Sequence, residues 1–277
     1  MTVKARNRWK QTLYILIATL ASVVFLFPIV LMVASSLKAP KYIFNGVIFP
    51  PLEQLRLENF SEVFTRVNFL QSMTNSFITA TAVTIVSIVI QLAAGFAFSQ
   101  LHFPFRKAIF FWMLSTMMLP FSVMMIPLFQ ISKIMGLLNT LWAIIIPMIP
   151  QAYGIFLYKQ FFMGMPRDLF EAAQIDGSGY FGTMLRIYTP LAKPITLALV
   201  VCYFLNNWNN YLWPLIVTQD KSLWVVQIAI VAFKGEYDVS WNLIMAASAI
   251  ATVPTLILYV FLQRYFIDGI KMSGVKE

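Results

Sequence analysis

The sequence predicts an all-α integral membrane protein with six transmembrane helices and both termini on the cytoplasmic side. Three observations carry that prediction. Of 277 residues only 11% are charged and 60% are hydrophobic. Soluble domains carry about 25% charged residues, so an ordinary globular enzyme is excluded. The charge is also clustered: no Asp, Glu, Lys or Arg occurs in 11–37, 67–105, 108–132, 134–158, 194–219 or 239–263. A helix crosses a hydrocarbon core of roughly 30 Å with about 20 residues at 1.5 Å each, so each run supplies one span. Finally, thirteen Lys and Arg fall in 1–10, 106–107, 159–193 and 264–277, against seven in 38–66, at Lys133 and in 218–238. The positive-inside rule places the richer set in the cytoplasm. The net charge of +9 is therefore a topology signal, and no nucleic-acid partner is expected.

The elements follow in order. The arm 1–11 carries Lys4, Arg6, Arg8 and Lys10, but the apolar run after it is too long for a signal-peptide core, so 12–35 is a retained span. An outer loop covers 36–71. Because Gln71 to Ser76 is polar, the second span is placed at 75–98, beginning near Asn75. A basic turn, 99–108, contains His102, read as an ordinary interfacial residue. The third span, 108–130, holds Met113, Met117, Met118, Met124 and Met125 around Pro120 and Pro127, which suits adaptable packing. A short outer turn leads to the fourth span, 140–160. A cytoplasmic loop, 161–192, precedes the fifth, 193–217. The outer loop 218–240 includes an uncharged run, 222–233, too short to cross and expected at the membrane surface. The sixth span, 241–263, ends in a tail to Glu277. No internal repeat is present, and the chain is read as a single membrane domain, 1–277. The lone Cys202 lies inside a span, where no intramolecular disulfide is available and packing is its role. Prolines interrupt most spans. Hinges beside a path and simple packing kinks are both consistent with them.

The loop 161–192 is the most specific feature. Met165-Pro-Arg-Asp-Leu-Phe-Glu-Ala-Ala-Gln-Ile-Asp-Gly177 places Pro166 for a helix start, and Asp168 and Glu171 where they complement the positive helix end. Leu169, Phe170 and Ala173 share an apolar strip. Ala172 and Ala173 permit close backbone approach, and Gly177 suits a left-handed stop. A second short helix, roughly 179–188, runs towards Pro190 and Pro194. The expected result is a helix–turn–helix with an apolar and acidic face for a partner.

The spacing Glu171-Ala172-Ala173, then Asp176-Gly177, Ile187 and Pro190, between the fourth and fifth spans, resembles the cytoplasmic "EAA" loop of ABC-importer permease subunits. Thr189 departs from the Leu that usually precedes that proline. Asn207-Trp-Asn-Asn-Tyr-Leu-Trp-Pro-Leu215 and the tail Gln263 to Lys276 are similar to the carbohydrate-uptake branch, specifically the MalG-like subunits of maltose systems. The tail departs at Met272-Ser273 and Glu277. The resemblance implies the ABC type I importer permease fold, a prokaryotic inner or plasma membrane location, and four kinds of neighbour. These are a second homologous permease subunit, two ABC ATPase subunits, an extracytoplasmic solute-binding protein and membrane lipid. ATP and Mg would be bound by the ATPases, with no cofactor and no catalysis in this chain.

Two features of the residues agree. Away from Lys159 and Lys193 at span ends, no acidic or basic residue lies inside a predicted span, where ion-coupled transporters usually place one, and no phosphate-binding Gly-x-x-x-x-Gly-Lys-Ser/Thr occurs. The most polar intramembrane patch is in the fifth span. Tyr203, Asn206, Asn210 and Trp213 fall at +3, +4, +3 spacing on one expected helical stripe, with Pro214 freeing the carbonyl of Asn210. Amides beside aromatic rings suit sugar hydroxyls and C–H faces; amides joining neighbouring helices fit equally. The expected function is ATP-driven uptake of a sugar, oligosaccharide or related polyol. Uptake of another small solute, or a self-contained facilitator or channel, are the alternatives.

Overall fold

Long apolar runs interrupted by proline build a chain of helices of very unequal length. The computed structural model describes Val3–Gly235 and Val239–Gly274. Side chains of 264–277, where the tail resemblance lies, are outside the described residues. In chain order the helices are α1 (Val3–Ser36), α2 (Glu58–Arg66), α3 (Phe69–Gln100), α4 (Arg106–Ser115), α5 (Phe121–Ile134), α6 (Leu141–Ile145), α7 (Ala152–Met163), α8 (Asp168–Ile175), α9 (Tyr180–Thr183), α10 (Thr189–Leu191), α11 (Lys193–Trp208), α12 (Leu212–Val217), α13 (Val226–Val231) and α14 (Trp241–Gly274). Among the described residues the one β-type pairing is an isolated bridge between Lys234 and Val239.

By length and composition four helices suit a bilayer: Gln11–Ser36, Phe69–Gln100, Leu141–Met163 and Trp241–Gln263. Two further pairs reach that length only when joined across a bend, Arg106–Met118 with Phe121–Ile134 at 108° and Tyr180–Leu191 with Lys193–Trp208 at 78°. The third and fifth spans are therefore not the continuous helices the sequence suggested. At the first bend Pro120 sits at the N-cap of α5, and Leu119 before it is extended (φ −83°, ψ 120°). Proline's Cδ disfavours helical geometry in the preceding residue, which ends one helix and starts the next. In the fifth, α11 closes at Trp208 with Asn209 as its C-cap, and α12 begins only at Leu212. Pro214 then lies in the first turn of α12, where a missing N–H costs nothing, and frees no carbonyl of Asn210.

The described chain divides into two compact units, 1–69 with 229–253, and 70–228 with 254–277. In the first, Asn59 is buried at 1% exposure, and its amide donates to the carbonyls of Ser36 (2.7 Å) and Lys38 (2.9 Å). Its Oδ1 accepts from Asn242 at 2.9 Å. Helix ends leave carbonyls without intrahelical donors, and one asparagine here supplies them for α1. Most of α1 beyond that end is unpacked within the chain, with Phe25 at 79% exposure, an apolar rod whose outer face is left to lipid or a partner.

α3 starts at Phe69, well before the Asn75 expected from polarity. The reason is that these polar residues are used internally. Asn75 donates to the carbonyls of Ser222 (2.8 Å) and Trp224 (3.0 Å), and Ser76 Oγ accepts from the amide of Val226 (2.7 Å). The run 222–233 is correspondingly packed against other parts of the protein over much of its length. Val225 and Ile228 pack with Ala143, Ile144, Trp213 and Val217 in one apolar core.

Candidate functional site

The loop helix α8 is closed by a well-formed Schellman motif. Gly177 adopts φ +76°, the left-handed region that a Cβ disfavours by roughly 1–2 kcal/mol. The Ser178 amide donates to the Ala173 carbonyl (2.9 Å) and the Gly177 amide to that of Gln174 (3.1 Å), the 6→1 and 5→2 pair that satisfies terminal carbonyls. Gln174 then braces the turn, donating to the Ser178 carbonyl (2.9 Å) and to Thr183 Oγ1 (3.3 Å). Asp168 and Glu171 occupy the first turn; Pro166 stands just before the N-cap Arg167 rather than inside that turn.

The second arm continues through α9 into a π-helical stretch, Met184–Tyr188, then α10. A π turn displaces one carbonyl from its usual partner. Here Met184 O receives both the amide of Thr189 and its hydroxyl, the latter at 2.9 Å. The threonine that departs from the family's leucine thus supplies a donor leucine lacks.

The loop is rooted in the helical core. Tyr188 is fully buried, with its ring 5.0 Å from Phe96 and 5.2 Å from Phe162. Met184, Leu92, Tyr158 and Leu199 complete the cluster, and Ile187 and Phe170 pack on its edge. The strip Leu169–Phe170–Ala173 does not present one face. Phe170 stacks on Tyr180 (6.1 Å, 7°) and leans on Phe96 (6.3 Å), Ala173 is buried, and Leu169 alone remains exposed. The face left open consists instead of Glu171, Ala172, Asp176, Gly177 and Pro190 with Ile175 (86% exposed) and Phe181 (71%). The loop thus exposes acidic groups together with large apolar ones above a buried aromatic root.

The polar stripe of the fifth span is dispersed. Tyr203 is buried and its hydroxyl donates to Gln91 Oε1 at 2.7 Å. Trp213 is buried on α12 and its Nε1 donates to the Ala143 carbonyl at 2.9 Å. Asn206 is exposed on α11, and Asn210 is half-buried in the interruption between the helices. Asn209 Oδ1 accepts from Gln227 at 3.2 Å. The break removes the common helical face, because +3, +4, +3 spacing aligns side chains only on an unbroken helix.

Two residues that sequence reasoning passed over hold this region together. Gln91, 1% exposed, is a lone amide deep in a charge-free run, and that isolation was the signal. Gly154 faces it so closely that a Cβ would fall 1.7 Å from Gln91 Oε1 and 2.5 Å from the Tyr203 hydroxyl. Small residues allow membrane helices this approach, and Gly95 serves α3 against α7 likewise, with a Cβ landing 2.4 Å from that of Tyr158.

Comparisons with known proteins agree with this architecture. The family model "Binding-protein-dependent transport system inner membrane component" matches residues 88–272. The arabinooligosaccharides transport system permease protein AraQ of Halalkalibacterium halodurans is 33% identical over 254 residues, covering 90% of this chain and 91% of that one. The sn-glycerol-3-phosphate transport system permease protein UgpE of Agrobacterium fabrum is 33% identical over 270 residues, covering 92% and 94%. A bacterial ABC transporter involved in import of the acidic polysaccharide alginate superposes with a TM-score of 0.82 at 20% identity, over 96% of this chain and 99% of that one, which establishes the type I ABC permease fold. Its bent spans, its fold and its relatives together make this chain a non-catalytic, membrane-embedded permease subunit belonging to the family of binding-protein-dependent transport system inner membrane components.

Proposed function

We propose that this permease serves an ATP-driven importer of a sugar, oligosaccharide or related polyol, and that 161–192 is the element through which partner ATPases move it. The carrying observation is the capped helix α8, whose open acidic and apolar face is tied through Tyr188 to Phe96 on α3 and Phe162 on α7. A displacement imposed on the loop reaches those helices through packed rings rather than through a flexible linker. In this reading the bent pair Arg106–Met118 with Phe121–Ile134 is the third span and α11 with α12 the fifth, giving six, with both termini cytoplasmic. The partners are a second homologous permease, two ATPases that hold ATP and Mg, and an extracytoplasmic binding protein. The setting is a prokaryotic inner membrane. The names of AraQ and the alginate transporter support a carbohydrate cargo. A phosphorylated polyol is the second reading, favoured by the similarity to UgpE.

Glu171→Lys tests the coupling: ATPase copurification and transport in reconstituted vesicles should fall while membrane insertion is unchanged. Wild-type transport would remove the assignment. Copurification of the unaltered chain alone, with full transport, would favour a facilitator. A panel of sugars and polyol phosphates offered to the cognate binding protein separates the cargo readings. For orientation, Ser178→Cys in a Cys202→Ser background should label only from the cytoplasm. A cysteine on the opposite side must avoid buried, bonded positions such as Asn59. Leu52→Cys, at an 85% exposed position in the loop 36–71, should label only from outside.

A further inference from the structure

A groove of about 480 Å³ opens between the start of α4, the end of α3 and the α7–α8 connection. Four cations line it, Arg106, Lys107, Lys159 and Arg167, and no carboxylate does. The cations are held in place: an Arg106 Nη donates to the Leu101 carbonyl at 2.7 Å, and Lys159 Nζ stands 3.5 Å from the centre of the Phe110 ring. Four cations sharing one concavity with no carboxylate in its walls favour a bound anion, since like charges brought together repel.

We propose that this groove binds the phosphoryl headgroup of an anionic phospholipid. The remaining walls decide for lipid. Phe110, Phe111 and Leu114 continue the groove along α4, onto an apolar outer surface where Phe111 is 67% and Trp112 72% exposed. An acyl chain has a path there, and a soluble anion or acidic peptide gains nothing from it. Exposed aromatics beside basic groups also mark the headgroup level of a bilayer, and basic pockets between membrane helices on the cytoplasmic side take anionic headgroups. The side of the membrane rests on the orientation proposed above. The position is consequential, because Arg167 is both a wall of the groove and the N-cap of α8. A bound headgroup therefore sits against the base of the coupling loop.

The test uses the full chain in detergent with equal amounts of phosphatidylglycerol and phosphatidylcholine, bound lipid being counted by native mass spectrometry. Phosphatidylglycerol should be enriched. The Lys107→Gln/Lys159→Gln double variant should lose that enrichment by roughly tenfold or more, given about 1 kcal/mol per cation. Lys133→Gln, a cation outside the groove, should keep it. No enrichment in the wild-type chain overturns the proposal, a result that needs no variant to fold. So does equal enrichment in the double variant, displacement of the lipid by millimolar inorganic phosphate, or its loss when the ATPase subunits bind. External labelling of Ser178→Cys with enrichment intact would instead overturn the topology and leave the lipid site standing.

Discussion

The coupling loop and the interrupted fifth span carry comparable numbers of polar residues, yet the structure uses them in opposite ways. In the loop the polar side chains close on one another: Gln174, Ser178 and Thr183 bond among themselves, and the charged residues Asp168, Glu171 and Asp176 stay outside. In the span region the polar atoms are drawn inward. Tyr203 goes to Gln91, Trp213 to Ala143, and Asn207 to the Tyr203 carbonyl. An unmet polar group in a bilayer costs several kcal/mol, which forces such pairing. The loop, facing water, is free to keep acids for a partner. Polarity in a membrane helix is therefore weaker evidence for a substrate path than polarity in a loop is for docking.

Four substitutions break or sharpen that contrast. The largest effect is expected from Tyr188→Ala, which empties the aromatic root of the loop. Large-to-small changes in packed cores cost about 3–5 kcal/mol, so the detergent-solubilised chain should melt markedly earlier and the loop should become protease-sensitive. An unchanged melting temperature would show that the loop moves independently of α3 and α7. Gly154→Ala comes next. Its Cβ would collide with Gln91 and Tyr203, and overpacking costs about 1–3 kcal/mol. Reduced thermal stability, relieved in a Gln91→Ala background, is the expected pattern.

Gly177→Ala has open space around its Cβ but retains the left-handed strain, about 1–2 kcal/mol. It should weaken ATPase association modestly and leave melting of the transmembrane part unaltered. Equal loss of both would place the glycine in the fold rather than in docking. Asn210→Leu should have the smallest effect. An interhelical amide bond in a membrane averages about 0.6 kcal/mol, so complex yield should hardly move. A change in which sugars are transported, with yield constant, would assign Asn210 to the path; unchanged selectivity would leave it structural.

Much of the fold was legible because bilayer physics writes it into composition. Charge-free runs set the helices, and the Schellman stop at Gly177 was readable from one glycine after an amphipathic turn. The breaks at Leu119 and at Asn209 to Tyr211 were not. Proline announces a perturbation without saying whether the helix runs on, as through Pro28 and Pro254 inside α1 and α14, or restarts, as at Pro120. That the run 222–233 packs inside the protein was not readable, because its burial depends on Asn75 and Ser76, some 150 residues earlier. Of the site, Glu171 and Gly177 were found where the loop exposes them. Phe170 and Ala173 were assigned to the partner although the core takes them, since a short apolar strip reads the same from either side.

The bend of 78° between Tyr180–Leu191 and Lys193–Trp208 makes the loop and the following helix the two arms of a bell crank. A push along the first arm arrives at the second almost entirely as a sideways swing, with little thrust along its axis. A helix embedded among lipid tails resists being driven lengthwise, because that would drag its ends through the headgroup layers. It tilts far more readily. On the coupling proposed above, this 78° joint turns a stroke delivered to the loop into the one kind of movement a membrane permits at low cost.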